Sequence, residues 1–378
     1  MILSYHILRV IWWILLGVLL SGFAIMDGFD LGIGILLPWV SRTDNERRIV
    51  INSIGPVWEG NQIWLILGGG AIFAAWPLIY AVSFSGFYFA MLLILLALIL
   101  RPVGFKYRGK MPGIAWRNLW DGCLFFSGLV PTLLFGVAMG NVLQGVPFHF
   151  DPQLRLFYTG TLFDLLNPFG LLCGLVSVCM LVFHGGIFLL NKTDGPIAKR
   201  TRYFTFISGL LFVLLFAFAG AWLAKLPGYT VTSPLYVDGP SNPLYKTVVT
   251  QVGAWLHNYE TYPLLLIVPA LSFIGVLLAM LTTAIKAYRS AWLFSALMVA
   301  STVATVGISM FPFILPSSTH PDMSLLVFDA SSSHLTLGIM LIATLIFMPI
   351  ILLYTAWVYH VLRGKVTETQ LRTDKQMY

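Results

Sequence analysis

Long apolar runs dominate the chain, and the polar positions that interrupt them are too few for either the 3.6-residue pattern of a surface helix or the alternation of a half-buried strand. A membrane-spanning helix needs about 20 mostly apolar residues. By that measure the runs near 8–39, 50–76, 78–100, 117–140, 161–190, 203–226, 262–285, 290–315 and 335–362 predict nine spanning helices. The expected fold class is an all-α polytopic membrane protein forming a single transmembrane domain over 1–378. Spans one to four and five to eight are expected to form two four-helix bundles, with the ninth span peripheral. The small-residue pairs Gly28/Gly32, Gly136/Gly140 and Gly170/Gly174 would let these helices approach closely.

The distribution of Lys and Arg sets the direction. With the N-terminus outside, 18 of the 22 basic residues fall in inner segments, Arg372 and Lys375 among them, and only Arg9, Arg155, Lys225 and Lys246 lie outside. The opening run has no basic leader and no small-residue cleavage site, so it reads as a retained helix. Composition agrees with the pattern: 58% of the residues are hydrophobic and 10% charged. Cys123, Cys173 and Cys179 all fall inside apolar runs and read as packing residues. The longest outer segment, about 227–261, reads as an ordered cap. No glycine-rich phosphate motif is present.

Against this background the stretch VWEGNQIW, residues 57–64, stands out. It places Glu59, Asn61 and Gln62 within an otherwise apolar span. Asp27 and Asp30, in DGFDLG, are three apart and share a helix face. Arg101 closes the third span and Asp121 opens the fourth. All five ionisable groups are expected in the inner half of the membrane, where an unpaired charge is costly. One arginine cannot neutralise four carboxylates, so protons or water must complete the balance. Both suit a proton pathway through Glu59, Asp27, Asp30, Asp121 and Arg101, with Asn52, Asn61 and Gln62 bonding the intervening waters. The plainer reading has Asp30 and Asp121 solvated or paired with Arg101, Lys106 or Arg117, and Trp58 and Trp64 as packing residues. A proton-coupled secondary transporter or a purely structural membrane scaffold would also place acids here.

Of the seven histidines, only His184 sits well inside a span, and no two are expected to face each other within spans one to eight. No haem or metal is therefore expected on this chain, and an interhelical hydrogen bond is the expected role of His184.

The blocks VIWWILLGVLL, DGFDLGIG, NERRIVINSIGPVWEGNQIWLI, GGAIFAAWP, FSGFY, RPVGF, GNVLQGVPF, NPFGLLCG, MFPFILPSS and ILLYTAW run in order from the first span to the last. Together they resemble subunit II of the bacterial cytochrome bd ubiquinol oxidases. The resemblance implies an inner-membrane respiratory complex that oxidises quinol and reduces dioxygen to water, building a proton gradient without pumping. It implies a pseudo-symmetric partner, subunit I, that carries the b and d haems, and it is compatible with small single-span accessory subunits. It carries the acidic position of span two onto Glu59, the DGFD acids onto Asp27 and Asp30, and the remaining pair onto Arg101 and Asp121. Glu59 stands where relatives often have aspartate, and Val57 where some have histidine. A structural quinone is also compatible with the family, with Trp58 stacked on its ring and Arg101 or Asp121 bonding its carbonyls.

Overall fold

The computed structural model describes residues 3–369, so Arg372 and Lys375 lie outside the described residues. Twelve α-helices carry most of the chain: α1 Tyr5–Val40, α2 Asp44–Ile54, α3 Trp58–Ala75, α4 Pro77–Gly86, α5 Tyr88–Tyr107, α6 Ile114–Gln144, α7 Pro168–Lys192, α8 Gly195–Leu223, α9 His257–Thr261, α10 Ile267–Ala284, α11 Tyr288–Met310 and α12 His334–Val361. Eight of the described helices are long and apolar enough to cross a membrane. The chain is an all-α polytopic membrane protein.

The second expected span, 50–76, is broken at Pro56, and the third, 78–100, is broken at Phe87, non-helical at φ −92°, ψ 22°, between α4 and α5. Pro56 has no backbone N–H to continue the ladder, and Val57 leaves the helical region at φ −120°, ψ −20°, so α2 stops and α3 starts afresh at Trp58. Trp76 precedes Pro77 and is non-helical at φ −137°, ψ 75°, which divides α3 from α4. α3 is 18 residues long, and its polar first turn leaves it less apolar than the other spans.

α1 is the central helix. It packs against α3, α6, α7 and α11, while α5 packs on α6. α7, α8, α10 and α11 contact one another as a second group, and α12 touches α1 and α3 at the side. The contact between the groups runs through glycines. A Cβ on Gly32 would sit 2.0 Å from the Leu181 carbonyl oxygen, and one on Gly140 would sit 2.8 Å from the Gly170 Cα. Small residues are what let α1 and α6 lie against α7 at backbone distance.

Three short antiparallel hairpins cap one end. They are β1 Phe148–Phe150 with β2 Leu156–Tyr158, β3 Pro227–Val231 with β4 Val248–Val252, and β5 Phe313–Leu315 with β6 Leu325–Leu326. Tyr229 of β3 donates to the Gln144 carbonyl at 3.1 Å, and Trp255 donates to the Leu143 carbonyl at 2.9 Å, so the cap seals the end of α6. Gly145 turns the chain there at φ +89°, with Tyr229 filling the space of a side chain. Arg9 fastens the cap to α1. Its guanidinium donates to the carbonyls of Val237 and Gly239 and to the hydroxyls of Ser241 and Ser331, at 2.6 to 3.1 Å. Lys246 meets Asp329 at 2.7 Å; burial pushes the lysine down and the aspartate up from their ordinary values. The opposite end of the molecule carries the bulk of the Lys and Arg.

Candidate functional site

Asp27 and Asp30 lie one turn apart on the inward face of α1, roughly 20 and 15 Å from its basic end at 1.5 Å per residue. Both are buried. Arg101, on α5, reaches Asp27 Oδ1 at 2.6 Å, with side-chain exposures of 4% and 0% for the two residues. Asn61, on the first turn of α3, donates its amide to Asp30 Oδ2 at 2.8 Å. Tyr359, on α12, donates its hydroxyl to Asn61 Oδ1 at 2.7 Å and so sets the amide's orientation. Four helices thus converge on two carboxylates and one guanidinium.

The group is incompletely satisfied by protein. Asp27 Oδ2, Asp30 Oδ1 and one terminal nitrogen of Arg101 are buried without a hydrogen-bond partner. A cavity of about 20 Å³ adjoins them, lined by Asp30, Arg101, Phe105, Ser127 and, from α2, Val50 and Ile54. That is room for about one water. Its α2 wall lies on the side of the basic end.

Glu59 is placed differently from the expectation of a buried carboxylate. On α3, Trp58, Asn61 and Trp64 point inward, and Glu59 is exposed on the opposite face. It heads an outward stripe of Ile63, Ile66, Gly70 and Phe73, at alternating spacings of four and three. The helical period allows only one side of this turn to face the carboxylates on α1, and Asn61 takes it.

Asp121 also stands apart from the Asp27 group. Arg108 grips it through Nε at 2.5 Å and through a terminal nitrogen at 3.2 Å, and Arg47 adds a contact at 2.8 Å. Asp44 bridges Arg108 and Arg117, each at 2.8 Å. Two aspartates and three arginines therefore tie the start of α2, the end of α5 and the start of α6. Asp121 lies only two turns into α6, where these arginines reach it before Arg101 can. Asn52 donates back to the Arg48 carbonyl at 2.8 Å.

The expected quinone contacts do not converge. The Trp58 indole is stacked on Phe105, with ring centroids 5.2 Å apart. Arg101 is taken by Asp27, and Asp121 by Arg108 and Arg47. A one-water cavity is far smaller than a quinone ring, so these residues in this arrangement do not fit one.

His184 is held at both ring nitrogens, by the Ser295 hydroxyl at 2.8 Å and the Ile25 carbonyl at 3.0 Å. Nε2–H must donate to the carbonyl, while Nδ1 meets the Ser295 hydroxyl, which also bonds the Trp292 carbonyl at 2.9 Å. An interhelical hydrogen bond is its role, and neither nitrogen is free for a haem iron. Among the described residues, no three His, Cys, Asp or Glu side chains are grouped to hold a metal. Sequence reasoning did not find Tyr359 or the Arg47 and Arg108 grip on Asp121. Nor did it find His149 and His320, whose rings meet at 4.8 Å on the cap. The one available signal for Tyr359 was a polar-tipped aromatic near the basic end of an otherwise aliphatic span.

Comparison with known proteins matches residues 8–362 to the family described as cytochrome bd terminal oxidase subunit II. The chain is 50% identical to the cytochrome bd-I ubiquinol oxidase subunit 2 of Escherichia coli strain K12, over 98% of each chain. It is 49% identical to a probable cytochrome oxidase subunit 2 of Haemophilus influenzae over 99% of each. It is 32% identical to the cytochrome bd ubiquinol oxidase subunit 2 of Bacillus subtilis, over 96% of this chain and 98% of that one. The fold is similar to a chain in the structure of the bd oxidase from Geobacillus thermodenitrificans, with a TM-score of 0.67 at 15% identity, covering 94% of this chain and 98% of the other.

Proposed function

The chain belongs to the subunit II family of cytochrome bd terminal oxidases, a multi-pass inner-membrane subunit of a quinol:oxygen oxidoreductase, and from that premise we propose that it carries protons from the cytoplasm toward a haem-bearing subunit I. The observation that carries this reading is the charge count at Asp27, Asp30 and Arg101. Two buried carboxylates share one guanidinium. One proton on the pair leaves the group neutral, and a second full charge has no counter-ion. Such a group holds a proton at membrane depth at low electrostatic cost.

The basic end is the cytoplasmic end in this reading. A proton enters beside α2 and crosses the one-water cavity to Asp30, whose other oxygen is held by the Asn61 amide. Water completes the open valences of Asp27, Asp30 and Arg101. Glu59 sits at the far side of the same α3 turn, on the outer surface of the chain. The partner subunit packs on that surface. The stripe from Glu59 through Ile66 to Phe73 gives it an apolar face on which one carboxylate is set. Glu59 is the carboxylate placed at that interface, where it takes up a proton and hands it to the partner in which water is formed. The chemistry of oxygen reduction belongs to the haems of the partner. This chain's own part is to hold, neutralise and pass the proton.

The test is oxygen uptake per haem in the purified complex. Glu59→Asp keeps a carboxyl and retains most of the turnover. Glu59→Gln keeps the size and loses the titrating proton, and turnover falls about tenfold or more, on the order of 1.4 kcal/mol in barrier. Glu59 is exposed on this chain, so Gln loses no internal packing and haem content stays normal. Wild-type turnover in a fully assembled Gln variant would leave only a structural role for this turn.

A further inference from the structure

We propose that the basic end of α8 together with the α10–α11 turn forms a binding site for the phosphate headgroup of an anionic phospholipid, on the side of the molecule away from α3 and α5. Lys199 and Arg202 lie three apart on α8 and so share a face. Lys286 and Arg289 flank the turn between α10 and α11. Tyr288 joins the two sides: Arg202 donates to its hydroxyl at 2.5 Å, and the Asn191 amide holds its backbone carbonyl at 3.1 Å.

None of these four cations has a carboxylate partner among the described residues, and the nearby acids are already committed. Arg200, on the same helix, is paired with Glu46, and Asp194 is paired with Lys365. Arg202 has a second open valence, for its Nε is buried with no hydrogen-bond partner. Lys286 is in the left-handed region at φ +64°, where glycine would be the cheaper residue.

The surroundings select a lipid as the occupant. Directly below the cations, along the helix axes, Leu281 and Ile285 at the end of α10 and Leu293 of α11 are 63%, 76% and 63% exposed. On helices of membrane-spanning length, such side chains meet acyl chains. A site with positive charge at the headgroup level and aliphatic surface beneath it is complementary to an anionic phospholipid at both ends. Polybasic clusters at this level attract anionic headgroups by their charge.

The experiment is native mass spectrometry of the purified complex, delipidated and then exposed to equal amounts of phosphatidylglycerol and phosphatidylethanolamine. The expected result is preferential retention of phosphatidylglycerol. In the double variant Lys286→Gln/Arg289→Gln its retention falls about tenfold or more, with phosphatidylethanolamine unchanged. Both residues are exposed, and neither side chain is in an ion pair among the described residues, so the variant assembles. Excess inorganic phosphate leaves the lipid bound. Equal retention of the two lipids, wild-type retention in the double variant, or displacement by inorganic phosphate would each overturn the proposal.

Discussion

The Arg101 guanidinium meets the Asp27 carboxylate at 2.6 Å, and neither side chain is more than 4% exposed. A buried ion pair of this kind adds little net stability as a unit, yet removing one partner strands the other charge at a cost of about 3–5 kcal/mol. Arg101→Ala is therefore expected to lower the haem content and thermal stability of the complex. Arg101→Lys keeps the charge but loses the planar fork, so its effect is smaller. Haem per protein and the unfolding midpoint are the readouts. Values equal to wild type in the alanine variant would show that Asp27 does not need its counter-charge.

The crossing of α1 and α7 gives a second test. Gly32→Ala would set a methyl 2.0 Å from the Leu181 carbonyl oxygen, a backbone atom that cannot rotate away. The two helices must separate, and overpacking of this kind costs about 1–3 kcal/mol. Gly17, on the same helix, has nothing within 4 Å of where a methyl would sit, so Gly17→Ala is the control. The yield of assembled complex is expected to fall for Gly32→Ala and to hold for Gly17→Ala. Equal yields would mean that the close approach is dispensable.

Glu46 provides a pH dependence outside the membrane. Burial alone would raise it, but the Arg42 and Thr43 backbone N–H groups and the Arg200 guanidinium outweigh that and hold it below its ordinary value of 4.5. A depressed carboxylate stabilises the fold fully above its unfolded value, and the contribution is lost as pH falls through the folded value. Wild type is thus expected to unfold at a higher temperature than Glu46→Gln near neutrality. The gap closes as pH drops below about 4.5. A gap that does not change with pH would place the role of Glu46 in packing rather than charge.

Much of the architecture was legible in the sequence. Apolar runs marked the spans, the positive residues marked one end, and the glycine pairs on α1, α6 and α7 marked the close crossings seen at Gly32 and Gly140. The boundary at Trp76–Pro77 was read correctly, between the spans at 50–76 and 78–100, while unbroken hydropathy hid the breaks at Pro56 and at Phe87. Which side of α3 faces inward was not readable. Lipid and protein interior are equally apolar, so the pattern around Glu59 has no wet side to orient it. Asp27, Asp30 and Arg101 came together as charge economy requires. Asp121 did not join them, because the choice among several nearby arginines and lysines turns on helix tilt and side-chain reach. Tyr359 and the His149–His320 contact depend on tertiary placement across more than 150 residues of chain, and no local pattern marks them.

Time-resolved proton uptake tests the proton-carrying role most directly. The purified complex is fully reduced, mixed with oxygen in unbuffered medium containing a pH-indicating dye, and followed together with haem absorbance. Asp30→Asn keeps the hydrogen bond to Asn61 and loses the titrating carboxyl. Proton uptake in this variant is expected to slow about tenfold or more while haem content stays at the wild-type level. Uptake at the wild-type rate in a fully assembled Asp30→Asn complex would contradict the proposal that this chain carries the protons.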